Sequence, residues 1–354
     1  KSMLRTVARG RRAPAVVAAL ALVALLRPAP APAASYPPGY RFRTVSTDRV
    51  SVHFHQGFEA MGRQAATLAT EILAGHEQRY GKKVGRVHVV LVDADDQPNG
   101  FASPLPFPLV TIRAVAPDGT DDFGNHEGWL RLVLAHELAH TVHLEEARGL
   151  WGFGRKLFGR APFLFPNTLA MSWMIEGLAT YEETELTAFG RGRNPDSRMV
   201  LRMAALEGHF PKTDQAIYAL DAWPGGQTPY LFGEAFLRRL SEQAGEDTIP
   251  RMGRQHAGQF PPWLDGRTAR KVTGTGLQAH WTAWRAQAGE EFAREAEERK
   301  ETGLTPAAPV TARGIRQVSP RISPDGTLVA YTSFTLERFP EIRLARPDGT
   351  EDRR

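Results

Sequence analysis

Five residues constrain this chain more than any others: His136-Glu-Leu-Ala-His140, set inside the apolar run Trp129–Leu144. Leu130, Leu134, Leu138 and Val142 recur every four residues, and Trp129 and Val133 continue the histidine stripe upstream. A helix that is apolar nearly all round is a buried helix. Folding it would take two imidazoles and a carboxylate out of water within five residues, which is costly without a shared partner. One turn apart on the same face, His136 and His140 can both reach one metal ion. Glu137, next to the first histidine, is placed to take a proton from a water at that metal without being a ligand. Core histidines, each satisfied by a hydrogen bond, are the competing reading.

Two histidines leave a catalytic metal short of a ligand, since three protein donors and one open position are usual. Glu176 is the expected third, the one acid in the apolar stretch Met171–Thr180. Buried without a partner it would be expensive, and the small residues Gly177 and Ala179 would let its helix lie close to the HExxH helix. Glu182 and Glu183 read as a solvated helix end, with orientation of the histidines as the alternative. His143, a turn past His140, is read as a neighbour of the site or a surface residue, not a ligand. Tyr230 and His209 are the candidates for steadying an oxyanion, with core packing as the competing reading for both.

The pair His136-Glu-Leu-Ala-His140 and Trp173-Met-Ile-Glu-Gly-Leu-Ala-Thr-Tyr181 resembles the gluzincin-type (peptidase MA-like) zinc metallopeptidases. The gap from His140 to Glu176 is much longer than in thermolysin-type or aminopeptidase-type patterns. It resembles a bacterial branch in which an exported gluzincin domain precedes a TolB-like (PD40) β-propeller. Val87–Asp96 with Pro98-Asn-Gly-Phe101, the Gly190-Arg-Gly192 segment, Trp223-Pro224 and Tyr230–Phe236 match that branch. The resemblance implies an α+β, zincin-like domain: a small N-terminal mixed sheet, an active-site helix and a C-terminal helical subdomain. It also implies Zn²⁺ on His136, His140 and Glu176, with Glu137 as general base in peptide hydrolysis. In such folds an edge strand beside the zinc helix pairs with extended substrate, and the proline-flanked Leu109–Arg113 is expected to be that strand.

Charge and composition fit an exported enzyme. Residues 1–12 are basic, 13–26 are a short apolar run, and small residues near 31–34 suit cleavage. Residues 1–34 are therefore read as a signal peptide, with an uncleaved N-terminal anchor as the competing reading, and the protein as periplasmic or secreted. Those residues carry six Lys/Arg and no acid, so without them the formal net charge of +5 falls to about −1. A basic balance confined to a removable segment is no argument for nucleic acid. The Arg-rich stretch 190–198 is read as a solvated loop. The absence of cysteine excludes a disulfide framework, a thiolate metal site and a cysteine nucleophile.

Residues 35–300 form the expected metallopeptidase domain. Strands are expected in 40–56 and 86–92, and a helix over 60–80. A long aromatic loop (149–168) should either shape the cleft or pack on the core, and helices should run from 196 to 299. Their apolar sets include Met199/Met203/Leu206 and Leu231/Phe236/Leu237/Leu240. Residues 301–312 read as a linker. Over 313–354, Ser323-Pro-Asp-Gly326 followed by Leu-Val-Ala-Tyr331 marks a hairpin and resembles a TolB-like repeat. One blade cannot close a propeller, so a longer natural chain is expected. The expected partners are a peptide or protein substrate, a protein bound through the propeller, and the cell envelope. The other function kept open is an exported, metal-stabilised binding or scaffold protein without turnover.

Overall fold

The computed structural model describes residues 36–93, 96–117, 128–218, 223–335 and 337–354. The expected signal segment lies outside them. Of the first of two compact units, Lys1–Tyr40, only a turn is described, closing the Tyr40 N–H on the Pro37 carbonyl. All elements below belong to the second, Arg41–Arg354.

Val87, Val89 and Leu91 alternate along β3 (Val87–Val92) and are fully buried, as the β-branched run requires of a central strand. Around it forms a five-stranded mixed sheet with β1 (Phe42–Ser46), β2 (Val50–His55), β4 (Gly100–Ser103) and β5 (Leu109–Arg113), ordered β1-β2-β3-β5-β4. Strands β2, β3 and β5 run parallel, while β1 and β4 are antiparallel edges. The parallel β2–β3 pair needs a crossover, supplied by α1 (Glu59–Tyr80), which ends at Gly81 in the left-handed conformation, φ 62°. Its Ala65, Ala69, Ile72 and Leu73 join the sheet's inner valines in the core.

The edge assignment corrects an expectation. Leu109–Arg113 is interior, bonded to β3 on one side and β4 on the other. Its flanking prolines sit outside the strand, so they cost it no ladder hydrogen bond. The edge is Gly100–Ser103, which reads weakly in sequence because it is four residues long and begins with glycine.

Helix α2 (Trp129–Leu144) carries the HExxH motif and is buried along almost its whole length. After it come α3 (Gly149–Phe158), short 3₁₀ turns at Pro162–Leu164 and Pro166–Leu169, and α4 (Ser172–Leu186). The expected long loop is therefore largely helical. Helices α5 (Pro195–Leu206), α6 (Thr228–Ala244), α7 (Thr248–His256), α8 (Asp265–Thr273) and α9 (Leu277–Glu301) complete the helical part. Asn194 caps α5 by accepting from the Asp196 N–H (2.9 Å), with Pro195 in the first turn. Leu231, Phe236, Leu237 and Leu240 are buried as expected, in an aromatic core where Phe236 lies 5.4 Å from Trp173 and 4.7 Å from Trp281. Met199, Met203 and Leu206 are exposed instead; their helical spacing marks a face of α5 that the core does not use.

Helix α4 approaches α6 backbone to backbone. A Cβ at Gly177 would lie 2.5 Å from the Gly233 Cα, and one at Gly233 would collide with the Trp173 carbonyl. The close approach expected between Gly177 and the HExxH helix is thus made with α6. Toward the C-terminus, β6 (Arg316–Ile322), β7 (Val329–Phe334) and β8 (Glu341–Ala345) form an antiparallel meander, with Gly326 (φ 72°) in the first turn. The whole is α+β with a mixed sheet. Among the described residues no helix is long and apolar enough to cross a membrane.

Replacing Gly233 by alanine should destabilise the protein by about 1–3 kcal/mol through overpacking. Helix propensity alone would give about 1 kcal/mol in the opposite direction. Urea unfolding of the two proteins decides, and a stabilised variant would contradict the close packing.

Candidate metal centre

The apolar faces of α2 leave its histidine stripe facing α4, and α6 holds α4 in place behind it. His136 Nε2 and His140 Nε2 lie 3.2 Å apart, and Glu176 Oε2 is 3.5 Å from the first and 3.3 Å from the second. Three donor atoms therefore bound one small triangle. A tetrahedral ion with bonds of about 2.0–2.1 Å would need edges of roughly 3.3–3.5 Å. The triangle fits such an ion with little movement.

Glu137 stands beside it with Oε2 buried and, among the described residues, without a hydrogen-bond partner. Burial pushes its carboxyl above the usual range, against the opposing pull of His136 and His140. Its side chain packs on the edge strand: a Cβ at Gly100 would lie 2.5 Å from Val133 Cγ2 and 2.8 Å from Glu137 Oε1. Glycine at 100 is what lets β4 lie against α2. Asn99, Gly100 and Phe101 then line a cleft of about 210 Å³ with His136, Glu137, His140, Glu176 and Tyr230.

The charges around the triangle are arranged in layers. His136 Nδ1 faces Glu183 Oε2 at 2.9 Å, so the carboxylate, which only accepts, fixes the proton on Nδ1 and leaves Nε2 to face the triangle. Arg191 donates to both Glu183 oxygens, at 2.9 and 2.7 Å. Its Nη2 also lies 2.9 Å from His136 Nδ1, because both donors converge on the same Glu183 oxygen. Burial lowers the His136 imidazole, but Glu176 and Glu183 outweigh it and hold it up to about 9. Burial raises the Glu176 carboxyl, and the two histidines, His140 first, overcome this and hold it well below the carboxylate range. The pocket therefore stabilises positive charge at the triangle.

Several expectations change here. Glu182 and Glu183 are fully buried, not a solvated helix end. Glu183 braces His136, whereas Glu182 takes Arg79 at 2.8 Å and lies 3.8 Å from His76. Arg191, read as part of a solvated loop, is 3% exposed and is the cation that makes Glu183 tolerable inside. Two adjacent glutamates near a helix end give no sign of this burial in the sequence. His209 is exposed and lines a different groove, with Phe210, Trp223 and Arg285. Tyr230 does reach the cleft, its ring 6.1 Å from His136 and stacked under Arg191. Tyr218 is a site residue with no sequence signal: its hydroxyl donates to Glu176 Oε1 at 2.7 Å and meets the Tyr230 hydroxyl at 3.3 Å.

His143 is neither a ligand nor on the surface. It is fully buried, and neither ring nitrogen has a hydrogen-bond partner among the described residues. Burial, then nearby His256, His140 and Lys82, lower it to about 3. Unfolding would restore a value near 6.5, so the unfolded chain binds the extra proton between about pH 6.5 and 3. The His143 contribution is thus intact above pH 6.5 and falls on acidification by up to about 1.4 kcal/mol per pH unit. His143→Leu should show a shallower loss of stability over that window in urea unfolding at stepped pH; equal slopes would contradict a buried neutral imidazole.

Glu183→Gln should weaken metal binding about 10–100-fold in a chelator competition, through loss of the brace on His136. Unchanged affinity would remove Glu183 from the site. No protein-family model and no curated protein matches the chain.

Proposed function

We propose that this chain is a zinc-dependent peptidase of the gluzincin type, a hydrolase acting on peptide or protein substrates outside the cytoplasm. The observation that carries the reading is the His136–His140–Glu176 triangle with the buried Glu137 carboxylate beside it, its Oε2 without a hydrogen-bond partner among the described residues. Two imidazoles in the donor set disfavour calcium and magnesium, which take oxygen ligands. Two nitrogens and one carboxylate oxygen with tetrahedral edges favour zinc. Zinc bound there would supply Lewis acidity, lowering the pKa of a water and polarising the scissile carbonyl.

The chain's own groups do the rest. Glu137 accepts the proton at Oε2 and passes it to the leaving amine; its raised affinity for protons makes it a better base than an exposed glutamate. Tyr218 holds Glu176 by Oε1, so that Oε2 faces the histidines. Tyr230, whose ring lines the cleft, offers its hydroxyl to the substrate carbonyl oxygen. Among the described residues β4 is the last strand of the sheet and lines the cleft, and an extended peptide would add to it as a sixth strand. In the same reading residues 1–34 direct export, residues 35–300 are the zincin-like domain, and β6–β8 begin a TolB-like propeller that recognises a protein partner.

Glu137→Gln should keep stoichiometric zinc while hydrolysis of a mixed peptide library falls about 10²–10⁴-fold. Glu176→Ala should instead lose zinc. Equal hydrolysis by wild type and Glu137→Gln would overturn the role of the base. Zinc held by a wild type that cleaves nothing would favour a metal-stabilised binding protein.

A further inference from the structure

Helix α3 has an apolar face that the described residues leave exposed. Leu150, Phe153 and Leu157 recur at three- and four-residue spacing and so share one side of the helix. Phe153 and Leu157 are 65% and 63% exposed, and Phe158 follows at the helix end at 67%. Phe163 in the next turn and Trp263 in the loop after α7 are each 65% exposed. These residues lie on adjoining segments, because α3 is fastened to that loop. The Arg148 N–H donates to the Ala257 carbonyl (2.9 Å), Trp151 Nε1 donates to the Gln259 carbonyl (2.8 Å), and the Trp151 ring packs 5.8 Å from Phe260. The adjoining Phe163 turn is held by Leu164, whose side chain packs on Gly154. Isolated exposed apolar residues are ordinary; a contiguous group of large ones marks an interaction surface.

The charge around this surface selects its partner. From Ala147 to Ile175 there is no acidic residue, while Arg148, Arg155, Lys156 and Arg160 are basic. The nearest acids are buried and matched. Glu145 takes Arg155 (2.7 Å) and Arg160, Glu146 takes Lys82 (3.4 Å) and Arg148 (3.6 Å), and Asp265 lies 3.2 Å from His256. That leaves Lys156 exposed beside the apolar stripe and Arg267 exposed beside the Phe260 carbonyl. Aromatic and leucine side chains beside basic groups, with no acid between Ala147 and Ile175, match the interface of an anionic bilayer. Aromatic rings partition to headgroup depth and the cations meet lipid phosphates. An obligate protein interface needs no such one-sided charge.

We propose that α3, the Phe163 turn and the Trp263 loop form a membrane-docking face that lies on an anionic lipid surface without crossing it. The face is separate from the metal cleft, and docking does not depend on the peptidase reading.

The test is vesicle flotation with the chain beginning at Ser35, which contains the compact unit Arg41–Arg354 and lacks the apolar run of 13–26. Vesicles of phosphatidylglycerol and phosphatidylethanolamine should bind it at least about tenfold better than phosphatidylcholine vesicles, with attenuation in high salt. The triple variant Phe153→Ser, Leu157→Ser, Phe163→Ser should lose binding by tenfold or more while keeping its circular dichroism and its urea-unfolding midpoint. Lys156→Glu should lose part of the preference for anionic lipid. Equal binding by wild type and triple variant, or no flotation with anionic vesicles, would overturn the proposal. So would a wild type that does not float but is dimeric where the triple variant is monomeric, which would make the face a contact between copies.

Discussion

The structure turns on how five charged or ionisable groups are kept inside one small volume. His136, His140, Glu137, Glu176 and Glu183 are all largely removed from water around one cleft, and a buried charge without a partner would cost several kcal/mol. The compensation is nested. Arg191 meets Glu183, Glu183 meets His136, and the two histidines meet Glu176. A metal ion is the remaining partner that this set is shaped to accept. The scaffold answers the same demand: Gly177 and Gly233 bring α4 and α6 into backbone contact behind Glu176, and Gly100 brings the edge strand onto Glu137.

What could be read from the sequence follows from locality. The HExxH pair lies within one helical turn, and Glu176 stands out as the one acid in an apolar stretch, so their grouping around one point is visible as pattern. The central strand β3 and the inward face of α6 are equally plain, the first as a run of β-branched residues and the second as apolar residues at helical spacing. The matching acids and bases were not. Glu183 and Arg191 are eight residues apart, across the end of α4 and the connection that follows it, and each alone resembles an ordinary surface charge; only their pairing makes burial affordable. Tyr218 reaches Glu176 from 42 residues away in sequence, across a connection that no local periodicity describes.

The errors have the same origin. Proline flanks made Leu109–Arg113 look like an edge strand, yet strand order is decided by the β4–β5 hairpin, which inserts β5 between β3 and β4. Met199, Met203 and Leu206 have helical spacing but point away from the core, because Asn194 and Pro195 start α5 and its neighbours cover the other face. The aromatic residues of 149–168 divided in two: Phe165 is buried under Arg155 and Arg160, while Phe153, Phe158 and Phe163 face outward. A sequence rich in phenylalanine cannot by itself say which of its rings a core has room for.

The central claim is that His136, His140 and Glu176 hold a single zinc ion. X-ray absorption at the zinc edge of the purified chain tests it most directly. The account predicts one zinc per chain in a four-coordinate nitrogen and oxygen shell at about 2.0–2.1 Å, with the multiple-scattering signature of two imidazoles. Substoichiometric zinc in a six-coordinate, all-oxygen shell would contradict it.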